Sequence, residues 1–158
     1  MKIKELVALA GFILISELAG IMGSVFTFSS VRVWYPTLIK PWFTPPSWVF
    51  GPVWTTLYAL MGISLFLIWK QGIDRKEDYI AVGLFATQLF LNGLWTFLFF
   101  GLQNLLLGLI EILILLLFIL LTTIKFYTID KRAAYLLVPY IAWVCIATAL
   151  NYSLYLLN

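Results

Sequence analysis

Residues 34–54 read WYPTLIKPWFTPPSWVFGPVW and contain four of the chain's seven tryptophans and five of its six prolines. Proline fixes the backbone φ angle and has no N–H to donate, so this segment cannot form one regular helix. We predict a stiff aromatic loop that leads into a helix near Ser47. Tryptophan is flat and amphipathic, so these indoles suit either a membrane interface or the wall of a pocket for a flat ligand.

The sequence on both sides of this segment is strongly apolar. The 158-residue chain is 63% hydrophobic and 11% charged, and its mean hydropathy is +1.03, whereas a soluble domain carries about 25% charged residues. This composition predicts an integral membrane protein. The net charge of +3 does not indicate a nucleic-acid partner, because the basic residues lie at the predicted helix ends.

Several kinds of site are excluded by the residue types present. The chain has no histidine, which excludes histidine-ligated zinc, a histidine-ligated haem iron and a Ser-His-Asp triad. Its one cysteine, Cys145, cannot form an internal disulfide and is interpreted as a small buried hydrophobic residue. We expect neither a metal site nor a resident cofactor.

Five stretches of the sequence are long and apolar enough to cross a bilayer, which takes about 20 residues. They predict an all-α integral membrane five-transmembrane-helix bundle in which residues 1–158 form a single domain. An aromatic and proline-rich lid loop connects the first two spans. The predicted boundaries are 6–28, 47–69, 79–101, 104–126 and 133–157 for the spans and 29–46 for the lid loop.

The distribution of basic residues predicts the orientation in the membrane, because cytoplasmic loops are enriched in Lys and Arg. The lid loop, the 3–4 turn and the carboxyl end lie on one side of the membrane and together contain only two basic residues, Arg32 and Lys40. The amino end and the 2–3 and 4–5 loops hold the other eight: Lys2, Lys4, Lys70, Arg75, Lys76, Lys125, Lys131 and Arg132. The amino end is therefore expected in the cytoplasm, with the lid loop and the carboxyl end outside.

Two acidic residues lie inside predicted spans, Glu17 in the first and Glu111 in the fourth. Carboxylates are costly in a bilayer, so each is a candidate functional group. Two interpretations remain open for both residues: an interhelical hydrogen bond with a structural role, or a step in a proton relay.

Three spans each carry polar and aromatic residues at helical spacing. Such a stripe is typical of a helix–helix interface held by polar side chains, but three of them under an aromatic lid also indicate a cavity. The stripes are Trp54, Tyr58 and Met61 in the second span, Gln88, Asn92 and Trp95 in the third, and Tyr140, Trp143, Ala147 and Asn151 in the fifth.

Three stretches of the chain resemble the signature of one family. They are WYPTLIKPWFTPPSWVFGPVWTTLYALMG at 34–62, QLFLNGLW with FFG at 88–101, and AAYLLVPYIAWVCIATALNY at 133–152. On these residues the chain is identified as a member of the translocator protein family, also known as tryptophan-rich sensory proteins or peripheral-type benzodiazepine receptors. The resemblance covers nearly the whole chain, in order.

The resemblance implies a bundle, usually a homodimer, that binds porphyrins, sterols and isoquinoline carboxamides in a pocket under the first loop. The pocket walls implied here are Tyr35, Pro45, Trp54, Asn92, Trp95, Trp143, Ala147 and Asn151, and the stripe in the second span adds Tyr58. In some bacterial members, the indoles that match Trp54 and Trp143 are linked to light-driven porphyrin breakdown.

We therefore expect a membrane-embedded binding protein, a sensor or carrier for porphyrin-type tetrapyrroles and similar flat apolar ligands. Arg32 and Lys40 are either partners for the ligand's carboxylates or solvated loop residues. The alternatives are a light-dependent porphyrin-degrading enzyme, with Trp54 and Trp143 as catalytic residues, and a small transporter. After Tyr152 the run to Asn158 lacks the cation of the family's sterol-recognition pattern, which argues against a sterol ligand and for a microbial cell membrane.

Overall fold

The computed structural model describes residues 2–158, in which five long helices form a bundle. All five are long and apolar enough to span a membrane. The predicted all-α five-helix membrane bundle is confirmed. The helices are α1 (Ile3–Val33), α2 (Ser47–Lys70), α3 (Lys76–Thr96), α4 (Leu105–Ile129) and α5 (Lys131–Leu157).

The first helix is longer than the apolar run that predicts it. It begins at Ile3 and continues to Val33 because no proline precedes Pro36, and because the buried Ser30 hydroxyl donates a 2.6 Å hydrogen bond to the Phe100 carbonyl. A short 3₁₀ turn follows at Tyr35–Thr37, and irregular chain runs from there to Pro46. The lid loop therefore comprises residues 34–46 rather than 29–46.

The connection between α3 and α4 is a tight turn with unusual backbone geometry. Residues Phe97–Gly101 form a π-helical turn, in which the Leu102 N–H donates to the Phe97 carbonyl at 2.8 Å. Gln103 has a φ of 53°, in the left-handed region. The Asn104 side chain then caps α4 by accepting from the Leu107 N–H at 2.9 Å.

Polar contacts tie the chain together at each end of the bundle. At one end, Lys70 pairs with Glu5 at 3.4 Å, and Gln71 donates to Asp130 at 2.9 Å. We call this the basic end, because the eight clustered cations lie there. At the opposite end, Asn158 accepts from the Ile39 N–H at 2.9 Å and donates to the Ile39 carbonyl at 3.1 Å. This is the lid end, where the lid loop is fastened to the carboxyl terminus.

The half of the bundle near the basic end has a solid apolar core. Its central side chains are at most 2% exposed, and the Phe85 and Phe126 rings stack there at 5.9 Å. The core residues of this half are Ile68, Phe85, Phe126, Ala133 and Leu137. The predicted burial of Cys145 is wrong, since it is exposed on the outer surface of α5, where lipid rather than protein would surround an apolar side chain.

Candidate ligand-binding cavity

A cavity of about 450 Å³ lies in the half of the bundle near the lid end, between α1, α2, α5 and the end of α3. Binding pockets for small molecules usually measure about 300–1,000 Å³. Aromatic rings from four elements form much of the wall: Tyr35, Phe50, Trp54, Tyr58, Trp95 and Phe99. The predicted cavity under an aromatic lid is thus present in the structure.

Close contact between α1 and α2 closes the cavity on the side of the basic end. Gly20 packs against the Tyr58 ring with no room for a side-chain carbon. Gly62 approaches the backbone of Phe12 and Ile13 so closely that a Cβ would lie 2.5 Å from the Ile13 Cα. Both contacts depend on the absence of a side chain at the glycine. They keep α1 and α2 close on the side of the basic end, whereas the cavity separates the two helices toward the lid end.

Aromatic pairs fix the orientation of the rings that line the cavity. Trp54 and Tyr58 are one turn apart on α2, and their rings stack at 5.7 Å. Trp95 and Phe99 make the corresponding pair at the end of α3, stacked at 5.1 Å with planes 21° apart. Each pair presents flat apolar surface from a rigid helix, which suits a flat ligand.

Interhelical hydrogen bonds hold the carboxamides of the cavity wall. Tyr58 Oη donates to Asn92 Oδ1, and Asn92 Nδ2 donates to Tyr140 Oη at 3.0 Å. Trp95 Nε1 donates to Asn151 Oδ1 at 3.2 Å, and Asn151 Nδ2 donates to the Leu105 carbonyl at 3.0 Å. The polar stripes therefore serve both as helix–helix contacts and as cavity wall.

The charged residues near the cavity fall into two groups. Glu17 and Arg32 line it, and the Arg32 guanidinium lies 4.1 Å from the centre of the Phe28 ring. Lys40 is not part of the lining; its Nζ lies over the Tyr35 ring at 4.8 Å. Glu111 does not line the cavity either. It is buried, and neither carboxylate oxygen has a hydrogen-bond partner among residues 2–158.

Tyr35 is the lid residue that turns inward, and its hydroxyl has no hydrogen-bond partner within residues 2–158. Burial raises the pKa of Tyr35 above its usual value, so the phenol is neutral at physiological pH. Trp42 and Trp48 turn outward instead and are 95% and 76% exposed. Tryptophans of this segment thus divide between the two roles that their chemistry allows, with Trp54 in the cavity wall and these two at the surface.

Seven of the nine residues predicted to bind ligand line the cavity: Tyr35, Trp54, Tyr58, Asn92, Trp95, Ala147 and Asn151. Pro45 and Trp143 are not in the lining. Trp143 borders a separate surface groove of about 470 Å³ between α2 and α5, because the direction of α5 side chains shifts steadily from Asn151 to Trp143 around the helix.

Sequence reasoning missed the wall that α1 contributes. Glu17, Gly20, Ser24 and Thr27 all line the cavity and follow one another at three- and four-residue intervals. This spacing was visible in the sequence as a helical stripe. Its members are mostly small, however, and carry no aromatic ring that would mark them as cavity wall.

Fold and cavity together define a class: a five-helix integral membrane protein with an internal aromatic cavity near one end. The chain belongs to the TspO/MBR family, whose model matches residues 12–156. The resemblance seen in the sequence is confirmed.

Relatives from several organisms match over most of the chain. The tryptophan-rich protein TspO of Archaeoglobus fulgidus is 48% identical over 88% of this chain and 89% of its own length. The protein of the same name from Chlorobaculum tepidum is 42% identical over 98% of both chains. The translocator protein of Homo sapiens is 38% identical over 92% of this chain and 86% of its own. Family membership and the five apolar helices support a binding or sensing role in a membrane.

Proposed function

We propose that this chain is a membrane-embedded binding protein for porphyrin-type tetrapyrroles and similar flat apolar ligands. The observation that carries the proposal is the cavity of about 450 Å³ whose wall includes two stacked aromatic pairs, Trp54 with Tyr58 and Trp95 with Phe99. A porphyrin is rigid, planar and mostly apolar, so its faces match such walls. Each aromatic contact contributes about 0.5–1.5 kcal/mol beyond the burial of apolar area.

Arg32 supports a ligand with acidic groups at one edge. It lines the cavity on the last turn of α1, near the lid end, and none of the ion pairs within residues 2–158 involves it. The propionates of a porphyrin would meet its guanidinium while the macrocycle lies deeper, since guanidinium and carboxylate match in geometry and charge. The fully exposed Trp42 suits an aromatic anchor at the membrane surface.

The solid core near the basic end favours binding over conduction. Ile68, Phe85 and Leu137 are fully buried in the half of the bundle that a transported molecule would have to cross. The Gly20–Tyr58 contact closes the cavity before that half begins. A cavity backed by a solid core suits a ligand that is held, as in a carrier or sensor, rather than one that is conducted through the bundle. We also propose that the basic end faces the cytoplasm, because eight of the ten cations lie there.

A fluorescence titration of the purified protein tests the proposal. Protoporphyrin IX is expected to quench tryptophan fluorescence saturably in wild type. A Trp54→Ala, Trp95→Ala double variant should bind about 10–100-fold more weakly, because it loses one ring from each stacked pair. Trp48→Ala is the matched control: it removes an indole of the same size that is 76% exposed and does not line the cavity, and its affinity should equal that of wild type.

Two results would overturn the proposal. One is a lack of saturable quenching by protoporphyrin in the wild-type protein. The other is an affinity that falls with Trp48→Ala and stays unchanged in the double variant, which would place the ligand outside the cavity.

Light-driven porphyrin degradation is a second candidate, favoured by the position of Trp54 in the cavity wall. An indole at a bound, illuminated macrocycle is placed to donate an electron to it. Trp143 lacks that position, so Trp54→Phe should slow the bleaching of bound protoporphyrin under light, while Trp143→Phe should not. Equal bleaching in wild type, in both variants and in denatured protein would refute the catalytic role.

A further inference from the structure

The first helix changes its neighbour as it approaches the lid end. At Gly20 it packs against α2, where its backbone abuts the Tyr58 ring. Beyond that point it is held by α3 and the π-helical turn that follows it. A Cβ at Gly23 would lie 3.2 Å from Oγ1 of Thr96, and the Ser30 hydroxyl donates its hydrogen bond to the π-helical turn. The part of α1 nearest the lid end therefore stays on the α3 side of the bundle.

The face of α2 that meets α1 shows that the two helices separate. Gly51, Thr55, Tyr58 and Gly62 follow one another at three- and four-residue intervals and share this face. A Cβ at Gly62 would lie 2.5 Å from the Ile13 Cα, whereas a Cβ at Gly51 would have no neighbouring side chain or helix within 4 Å. The helices are thus in contact at Gly62 and apart at Gly51.

Exposed residues of the cavity lining lie on both sides of this gap. A residue that lines a cavity and also reaches the surface marks an opening, and the side of a membrane-spanning bundle faces lipid. We call this gap the lateral opening. Its exposed lining residues are Ile21, Ser24 and Phe28 on α1 and Ser47, Gly51 and Thr55 on α2.

Packing and hydrogen bonds cover the cavity at the lid end. Leu38 and Phe43 of the lid loop pack against a buried cluster that includes Leu154. Asn158 fastens the same loop through its two hydrogen bonds to Ile39. A ligand that passed under the lid would have to break these contacts, whereas a ligand at the lateral opening would not.

We propose that the cavity takes up its ligand sideways from the bilayer, through the lateral opening between α1 and α2. This inference rests on the proposed function, because it assumes that the cavity holds a flat apolar ligand. It narrows the ligand class to molecules that are already dissolved in the leaflet on the lid side of the membrane.

The position of Arg32 suits a porphyrin that enters by this route. Arg32 lines the cavity, is exposed, and lies on the last turn of α1, near the end of a helix longer than the hydrocarbon core is thick. A porphyrin in a bilayer keeps its propionates at the headgroups, because carboxylates are costly in hydrocarbon. Sideways movement brings the macrocycle between the helices while the propionates stay at that level and meet Arg32.

The rate of ligand release tests the inference. Protein loaded with protoporphyrin IX in detergent is mixed with an excess of empty micelles, and the recovery of tryptophan fluorescence gives the dissociation rate. Gly51→Phe and Ser24→Phe each place a ring at one edge of the lateral opening. Each should slow release about tenfold, because the ligand must then wait for the helices to move further apart. A substitution that only damaged the cavity wall would speed release instead.

Two controls accompany these variants. Gly11→Phe makes the same change on α1 at a position that has open space and does not line the cavity, so its release rate should equal that of wild type. Asn158→Ala removes the hydrogen bonds that fasten the lid loop to Ile39, and its release rate should also equal that of wild type. Circular dichroism establishes that each variant is folded.

The outcomes separate the two proposals. Release from Gly51→Phe and Ser24→Phe that is as fast as from wild type, or faster, overturns the lateral opening and leaves the binding function intact. Faster release from Asn158→Ala has the same meaning, because it would show that the ligand leaves under the lid. A wild-type protein whose fluorescence protoporphyrin does not quench saturably overturns the proposed function itself.

Discussion

The two halves of the bundle are built from the same kind of apolar helix but are packed differently. Near the basic end, small and large side chains interdigitate into a solid core, as at the Phe85–Phe126 stack. Near the lid end, α1 and α2 separate beyond Gly20, and rings from several elements surround a cavity. The packing of a few side chains along the same helices thus decides whether a half of the bundle forms a solid core or a binding cavity.

The polar residues follow the same division. In the lid half, Asn92 and Asn151 are held by hydrogen bonds across helices and also face the cavity. Fixing these groups in advance lowers the entropy lost when a ligand binds. The basic half depends mainly on the close van der Waals packing of its apolar side chains, with a buried hydrogen bond from the Ser64 hydroxyl to the Ala133 carbonyl at 2.8 Å. The lid half therefore carries the groups that would contact a ligand, and the close-packed basic half lies outside the cavity.

The largest expected effect tests the packing of the basic half. Phe85→Ala should lower the free energy of unfolding by about 3–5 kcal/mol, because it leaves a void in a close-packed core beside Phe126. Thermal unfolding in detergent, followed by circular dichroism, measures this loss. Phe28→Ala is the control in the lid half: Phe28 is 66% exposed, and its removal should cost less than about 1 kcal/mol. Equal losses would erase the contrast between the halves.

The boundary between the halves gives the next effect in size. Gly62→Ala should cost about 2 kcal/mol, because the new Cβ would lie 2.5 Å from the Ile13 Cα and 2.8 Å from the Phe12 carbonyl oxygen. Backbone cannot turn aside as a side chain can, so α1 and α2 must move apart. Gly51→Ala on the same helix has open space around the new carbon and should be neutral within about 0.5 kcal/mol. A neutral Gly62→Ala would show that the helices are not locked at this point.

A smaller change of opposite sign is expected at Glu111. Glu111→Leu should raise the free energy of unfolding by about 1–2 kcal/mol, because it replaces a buried carboxyl whose oxygens lack hydrogen-bond partners within residues 2–158. Reversible unfolding in mild detergent with added denaturant measures the gain. Destabilisation instead would indicate that Glu111 has a favourable interaction in the membrane, which would revive its role as a structural or proton-relay group.

The smallest effect concerns the basic end. Asp130 caps α5 by accepting from the Arg132 N–H at 2.9 Å, and its carboxylate pairs with Nη2 of Arg132 at 2.8 Å. Asp130→Ala should cost about 1 kcal/mol through the lost cap. Asp130→Asn should cost less, because asparagine also caps helices.

The pH dependence at this cap has a definite sign. The Arg132 guanidinium lowers the pKa of Asp130 to about 2, compared with about 3.9 in an unfolded chain. The stabilisation is therefore complete above about pH 5 and is lost as the pH falls toward 2. Unfolding of wild type and Asp130→Asn between pH 2 and 6 measures the difference. A stability gap between the two proteins that is independent of pH would contradict the assignment.

Much of this arrangement could be predicted because it is local. The five helices followed from apolar length, and the lid loop from its prolines. The stripes on α2, α3 and α5 identified six residues of the cavity wall because the helical period places them on one face, and the family resemblance added Tyr35 in the lid loop. The end of α1 was not predicted, because residues 29–33 are held in the helix by a contact between Ser30 and Phe100, 70 residues away.

Trp143 shows the limit of the same argument. It lies four residues before Ala147, yet Ala147 faces the cavity and Trp143 borders the surface groove. Spacing gives the relative positions of side chains on one helix, but not the rotation of that helix about its axis. The contribution of α1 was missed for a related reason, since small residues form a cavity wall only where a neighbouring helix stays away.

The sequence by itself determined that the chain crosses a membrane five times, where the charged and proline-rich connections lie, and which family it belongs to. These properties depend on the length and composition of single segments, so they can be predicted without knowing which helices pack against one another. Only the tertiary structure decided that the lid half is hollow, that Glu17 lines it and that Trp143 does not. Those outcomes depend on how closely neighbouring helices approach, and backbone contacts at Gly20 and Gly62 set that approach.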